Sequence, residues 1–88
     1  MRGEMTTCTL HRIDPARRMA RFYAMHVERD LFGIVVLVKA WGRIGSYGHV
    51  VSEAHPTEAR AVAALQRHME RKQKRGYQPP NVAEAPKN

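Results

Sequence analysis

The sequence predicts an α+β fold in which a four-stranded antiparallel sheet, connected as a meander, packs against one C-terminal amphipathic helix. Three observations predict this fold. Four β-favouring segments follow one another with short turns between them, and the third is almost wholly apolar. One stretch of helical periodicity comes after them. A single amphipathic helix is then the only cover that the chain offers for one face of the sheet.

The four strands are predicted over residues 7–13, 20–28, 34–41 and 49–53. In the second strand Tyr23, Met25 and Val27 alternate with small or polar residues, which is typical of a strand with one buried face. Residues 29–33 are predicted to form the hairpin connection that follows. The near-continuous apolarity of the third strand predicts a central strand covered on both faces.

The helix is predicted over residues 58–75, with Thr57 as its N-cap and Gly76 as a left-handed cap after its last turn. Apolar residues at spacings of three or four predict its buried face, which consists of Ala59, Val62, Leu65 and Met69. We expect one domain over residues 1–78. The proline-rich residues 79–88 are predicted to be a disordered tail.

The chain is strongly basic, with 15 Lys+Arg against 8 Asp+Glu and a formal net charge of +7. Such a surface attracts polyanions, above all nucleic acid. The single cysteine allows no internal disulfide, which suits a reducing compartment. The sequence has neither an apolar run of about 18 residues nor the apolar core of a secretory signal. We therefore expect a cytoplasmic protein with no membrane span.

Motifs for catalysis or metal binding are missing from the sequence. Cys8 and the five histidines are not spaced as zinc ligands, and the acidic residues are scattered over turns and strand ends. The run Gly42-x-x-Gly45-x-x-Gly48 lacks the Lys-Ser/Thr pair of a phosphate-binding loop. The sequence thus predicts a binding module that is not an enzyme and needs neither a metal nor another cofactor.

Trp41-Gly42-Arg43 is the segment with the most evident binding chemistry. The only tryptophan ends the strongest strand and is followed by a glycine and an arginine. An indole can stack on a base or sugar, and a guanidinium can bind a phosphate through two hydrogen bonds. The alternative is structural, because Trp41 could simply close the end of the core.

The stretch from Arg21 to Tyr77 resembles a WGR domain. The resemblance includes the strand before the signature, WGRIG at 41–45, the helix, and the closing Arg-Gly-Tyr at 75–77. This module, named for Trp-Gly-Arg, is seen alone in bacteria and within poly(ADP-ribose) polymerases, where it contacts DNA near a strand break. The resemblance implies that Trp41 would pack against a terminal nucleotide and that Arg43 would help to hold DNA.

Further candidates come from the surroundings of the signature and from the helix. Alternation along the third strand predicts that Lys39 is exposed beside Trp41 as a phosphate contact. The helix carries a basic cluster that could follow a phosphate backbone, or that could form a solvated face which compensates the helix dipole. Its members are Arg60, Arg67, Arg71, Lys72, Lys74 and Arg75. The predicted nucleic-acid-binding residues are Trp41, Gly42, Arg43, Lys39, Tyr47, Arg71, Lys72 and Arg75.

From the sequence we expect a monomer that binds DNA, at ends or nicks, with little sequence specificity. Two other functions stay open. The chain could dock a partner protein through an acidic or apolar surface of that partner. It could also bind RNA, because stacking and phosphate contacts do not distinguish the two sugars.

Overall fold

The structure is a computed structural model that describes residues 6–80, and its elements follow the predicted order. They are β1 (Thr7–Asp14), a 3-10 turn (Pro15–Arg17), β2 (Met19–Arg29), β3 (Val35–Arg43), β4 (His49–His55) and α1 (Glu58–Lys74). The strands form one antiparallel sheet in the order β1-β2-β3-β4, so the predicted α+β meander is confirmed. In this part of the chain no helix has the length and apolarity needed to cross a membrane.

The core lies between α1 and one face of the sheet. Tyr23, Met25 and Val27 of β2 are buried, as their alternation predicts, and they lie beside Leu10 of β1 and Leu37 of β3. Residues two positions apart in a strand share a face, so these side chains form one continuous apolar layer under the helix. The complete cluster is Leu10, Tyr23, Met25, Val27, Val35, Leu37, Ala61, Ala64, Leu65 and Tyr77.

The prediction that β3 is covered on both faces is wrong. In residues 6–80, α1 is the only α-helix, and it packs on the face that carries Val35 and Leu37. Val36, on the opposite face, is shielded within the sheet, whereas Val38 and Ala40 beyond it are half-buried. The apolar run of β3 therefore supplies the core with every second residue and leaves an apolar strip on the open face.

The predicted N-cap of α1 is confirmed, because the Thr57 hydroxyl accepts a hydrogen bond from the Arg60 amide at 3.1 Å. The buried face differs from the predicted one by a rotation. Leu65 is buried together with Ala61 and Ala64, and Val62 and Met69 are partly buried against them, but Ala59 is exposed. Ala59 lies two residues before Ala61, about 200° away around a helix, and so faces solvent.

The helix ends in a Schellman turn. The Tyr77 amide donates to the Lys72 carbonyl at 3.0 Å, and the Gly76 amide donates to the Gln73 carbonyl at 3.0 Å. Gly76 has φ 98°, so the predicted left-handed cap is confirmed. The turn directs Tyr77 into the core, and Gln78 then pairs with β1 at His11.

Leucine 65 provides a test of the helix face. We expect Leu65→Ala to lower the free energy of unfolding by about 2–4 kcal/mol, because the side chain is 2% exposed and its removal leaves a cavity. Leu31→Ala is the matched control, since Leu31 is 98% exposed. Urea unfolding of both variants gives the comparison. Equal unfolding free energies for the two variants would show that another face of α1 contacts the sheet.

Candidate nucleic-acid interface

The pairing of β1, β2 and β3 aligns two rows of side chains across the sheet face that α1 covers. Leu10 lies opposite Tyr23, and Tyr23 lies opposite Trp41, which in turn lies opposite His49 of β4. A second row lies two residues away, after Leu10 and Trp41 in their strands and before Tyr23 in β2. In this row Arg12 lies opposite Arg21, and Arg21 lies opposite Arg43. We call Tyr23, Trp41 and His49 the aromatic row, and Arg12, Arg21 and Arg43 the arginine row.

Trp41 is half-buried, between the core and the surface. Its ring stacks on Tyr23, with centroids 6.0 Å apart and planes at 27°, and it also contacts His49, with centroids 5.8 Å apart. Tyr23 meets Tyr77 edge-on at 6.4 Å, which connects the aromatic row to the end of the helix. Such pairs each contribute about 0.5–1.5 kcal/mol beyond the area that they bury. Trp41 thus closes this end of the core, and part of its ring stays accessible.

The arginine row concentrates positive charge. Directly opposed residues on neighbouring strands have Cβ atoms about 4.5–5.5 Å apart, and like charges in this arrangement repel. In residues 6–80 no carboxylate forms an ion pair with Arg12, Arg21 or Arg43. Arg21 and Arg43 are exposed, and Arg12 is half-buried beside Gly76. The row is therefore an uncompensated cationic strip that an anion would stabilise.

Two clefts meet at Trp41 and Arg21, and we call them together the basic groove. The first, of about 630 Å³, lies on the signature side and is lined by Arg17, Arg18, Arg43 and His49, among others. The second, of about 400 Å³, lies at the end of the helix and is lined by Arg12, Lys72, Arg75 and Tyr77. Met19, Arg21 and Trp41 line both clefts, so the cationic surface is continuous past the exposed part of the indole.

Two glycines hold the signature in place. A Cβ on Gly48 would overlap the carbonyl oxygen of Trp41 and come within 2.9 Å of the Phe22 ring, at a left-handed φ of 72°. A Cβ on Gly42 would lie 2.8 Å from the Cα of Gly48. The loop after β3 can therefore fold back closely on Trp41 only because both positions lack a side chain. Gly42 contributes to the position of the signature through this packing.

The loop is also fixed by hydrogen bonds to the signature. The backbone amide of Ser46 donates to the Arg43 carbonyl at 3.0 Å, and the Ser46 hydroxyl donates to the same oxygen at 2.8 Å. The Ile44 amide donates to Ala20 of β2 at 2.9 Å. The backbone of Arg43 is thus held while its side chain stays exposed.

The predicted helix residues divide into two groups. Lys72 and Arg75 line the basic groove, and the Lys72 ammonium lies 4.6 Å from the centre of the Tyr23 ring and 5.5 Å from that of Tyr77. Burial, followed by the charges of Arg75 and Arg71, lowers the pKa of Lys72. Arg71 is outside the groove lining, where its guanidinium donates to the His68 ring at 3.1 Å.

The prediction of an exposed Lys39 is wrong. Lys39 shares the face of Leu37 and Trp41, so α1 covers it and its side chain is only 14% exposed. Its ammonium donates to the Glu53 carboxylate at 2.9 Å. That hydrogen bond, together with one from His55, lowers the pKa of Glu53. Tyr47, by contrast, is 95% exposed at the loop and lines neither part of the groove.

Four arginines of the groove were not predicted from the sequence, namely Arg12, Arg17, Arg18 and Arg21. Arg21 had a signal, because it precedes Tyr23 by two residues and so shares its face. Arg18 has φ 54°, a left-handed conformation, because it caps the 3-10 turn, where its amide donates to the Pro15 carbonyl at 3.0 Å.

Two histidines pair with neighbouring carboxylates. His26 donates to Glu28 at 2.8 Å, and His55 donates to Glu53 at 3.0 Å. Across residues 6–80 no three His, Cys, Asp or Glu side chains gather closely enough to hold a metal ion.

Comparison with known proteins identifies the family. The model of the WGR domain family matches residues 6–84. A protein of Sinorhizobium fredii (strain NBRC 101917 / NGR234), named uncharacterized protein y4dW, is 43% identical over 70 residues, which are 80% of this chain and 34% of the relative. The chain thus spans about a third of the length of that relative. No solved structure matches the chain significantly. Since the family model covers most of the chain, including Trp41-Gly42-Arg43, this protein belongs to the WGR domain family.

Proposed function

We propose that this domain is a non-catalytic module that binds DNA through its phosphates, at ends or nicks, with little sequence specificity. The observation that carries the proposal is the arginine row beside the half-buried Trp41. Guanidinium groups bind phosphate oxygens through paired, charge-assisted hydrogen bonds. A bound phosphate would relieve the mutual repulsion of the row, so binding and the native register favour each other.

The basic groove offers several contacts for one backbone. Arg21 lies where the two clefts meet, Arg43 lines the cleft on the signature side, and Lys72 and Arg75 extend the positive surface along the end of the helix. Arg17 and Arg18 extend it in the other direction. A strand that crosses the groove would pass from one cleft to the other over Trp41.

Trp41 supports a preference for DNA breaks. In an intact duplex the faces of the bases are covered by stacking, whereas an end or a nick exposes a terminal nucleotide. The accessible part of the indole, with Tyr23 packed behind it, can contact that nucleotide. Base–aromatic stacking contributes about 1–3 kcal/mol and is tolerant of sequence. This role agrees with the one that the resemblance to the polymerase modules implies.

Weak sequence preference follows from the kind of contact. Phosphate contacts position a protein on DNA and carry no sequence information by themselves. The one α-helix in the described residues packs its apolar face on the sheet, and its C-terminal end borders the groove. Recognition helices instead present their N-terminal residues to base edges in the major groove.

The salt dependence of binding tests the phosphate contacts. We expect binding to intact, nicked and single-stranded DNA that weakens with salt, with a slope of log affinity against log salt of roughly −3 to −4.5 for about three to five phosphate contacts. Fluorescence anisotropy at several salt concentrations measures the slope, with RNA of the same sequence as a parallel ligand. A slope near zero would contradict the phosphate-binding proposal, and tighter binding to RNA would favour RNA as the ligand.

Substitution of Arg43 tests one of the proposed phosphate contacts. We expect Arg43→Ala to weaken DNA binding by about 1.5–3 kcal/mol, the size of a charge-assisted contact, and to reduce the salt slope by about one. The melting temperature should stay close to that of the parent, because the side chain is exposed and has like-charged Arg21 as its neighbour.

Arg67→Ala is the control for net charge. Arg67 is exposed on α1 and lies outside the lining of the basic groove, so its loss removes the same charge elsewhere. An equal loss of DNA affinity in both variants would show that only the net charge matters. Unfolding of the Arg43 variant would show that the signature arginine is structural.

A further inference from the structure

The hairpin between β2 and β3 ends in three exposed apolar side chains. Leu31 is 98% exposed, Phe32 is 85% exposed and Ile34 is 47% exposed. We call these residues the apolar tip. Single exposed apolar residues are ordinary, but adjoining large ones on a surface mark an interaction site. The tip is separate from the basic groove, whose lining includes none of the three.

The backbone of the tip is held rigidly. The Asp30 carboxylate accepts hydrogen bonds from the Phe32 amide at 2.8 Å and from the Ile34 amide at 3.0 Å. The Arg29 guanidinium donates to the Gly33 carbonyl at 2.9 Å, and the Gly33 amide donates to the Asp30 carbonyl at 2.9 Å. Because the turn is ordered before any contact is made, binding through it loses little conformational entropy.

A cleft of about 460 Å³ adjoins the tip. Its lining includes the apolar residues Ile34, Val35 and Pro56 and the polar or charged residues Arg29, His55, Thr57 and Glu58. The cleft is large enough to receive an aromatic side chain. The same region of the chain therefore presents both an apolar projection and a cleft that is lined in part by apolar side chains.

The charges around the tip differ from those of the basic groove. Arg29 and Glu58 form an ion pair at 3.5 Å, with both side chains about half exposed, and the Asp30 carboxylate lies in the turn itself. Because these two carboxylates offset the one arginine, the region does not attract a polyanion such as DNA or an anionic membrane. A surface that carries both positive and negative side chains can instead be complementary to the same surface of a second copy, because Arg29 of one copy can pair with Glu58 of the other.

We propose that the apolar tip and its adjoining cleft form a self-complementary surface through which two copies of this chain associate weakly. In an isologous dimer, a two-fold axis between the apolar tip of one copy and the adjoining cleft of the other would place each Phe32 in the partner's cleft. Phe32 would bury on the order of 150–250 Å² of its own surface. The whole contact would stay below about 1,200 Å², the range of transient interfaces.

The position of the tip makes this association compatible with the proposed DNA binding but independent of it. From the Arg21–Arg43 pair to the Arg29–Val35 pair the hairpin advances by eight residues, roughly 26 Å at about 3.3 Å per residue. A dimer joined at the tips would leave both basic grooves free. Two grooves on one dimer would bind a long DNA more tightly than a short one, through effective concentration.

Sedimentation equilibrium of the full chain without DNA tests the proposal. We expect the parent to change from monomer toward dimer over roughly 10 µM to 1 mM. Leu31→Ser with Phe32→Ser should weaken association at least about tenfold, because it removes most of the apolar surface. Both side chains are exposed, so the double variant should keep the parent's melting temperature. Tyr47→Ser is the matched control, since Tyr47 is 95% exposed on another loop.

A parent that stays monomeric at 1 mM would overturn the proposal, and so would equal weakening by the control. Binding of the double variant to a short nicked duplex separates this proposal from the proposed function. We expect that affinity to be unchanged. A loss of affinity would place DNA on the tip and would overturn the dimer proposal, whereas a parent that dimerises but fails to bind DNA would overturn only the proposed function.

Discussion

The antiparallel register between β2 and β3 places Tyr23 opposite Trp41 and Arg21 opposite Arg43. A slip of one residue would turn every side chain of one strand to the other face, removing Trp41 from the core and Arg43 from the arginine row. The register is held at one end by the hydrogen-bonded turn around Asp30 and at the other by the hydrogen bond from the Ile44 amide to the Ala20 carbonyl. The β2–β3 register therefore determines both the packing of Trp41 and the positions of the arginines at the candidate site.

Within that constraint, neighbouring rows have opposite energetic effects. The aromatic row adds favourable packing between the end of α1 and the sheet, through Trp41, Tyr23 and Tyr77. The arginine row, two residues away, brings like charges together. In the free protein these arginines repel one another and add no stability. Unfavourable repulsion at one place in an otherwise consistent fold is typical of a site that binds a group of opposite charge. The packing of the aromatic row holds the arginines in place.

Much of the fold could be predicted because its signals are local. The alternation of Tyr23, Met25 and Val27, the Thr57 cap and the Gly76 turn each depend on a few adjacent residues, and each is confirmed. The covering of β3 was not predictable in the same way, because an apolar run does not reveal how many layers lie against it. The position of Ala59 depends on how the helix is rotated against the sheet, which its spacing alone leaves open.

The candidate site was predictable only in part, for a related reason. The sequence pattern identified Trp41-Gly42-Arg43 and the basic helix end, but the arginine row joins residues from three strands. No pattern along the chain shows that Arg12 and Arg21 lie beside Arg43, since this requires both registers. The prediction that Lys39 is exposed was wrong because its exposure depends on which sheet face α1 covers. Its partner Glu53 lies on another strand, so the ion pair could not be read from the sequence.

The most direct test of nucleic-acid binding across the basic groove is a nuclear magnetic resonance titration of the domain with a short nicked duplex. We expect the largest shifts at the backbone amides of Arg12, Arg21, Trp41 and Arg43 and at the Trp41 indole N–H, with smaller shifts around Tyr77. Residues of the open sheet face, such as Val38, should shift little. Perturbations centred on the open face, or spread evenly over the exposed side of α1, would contradict the account.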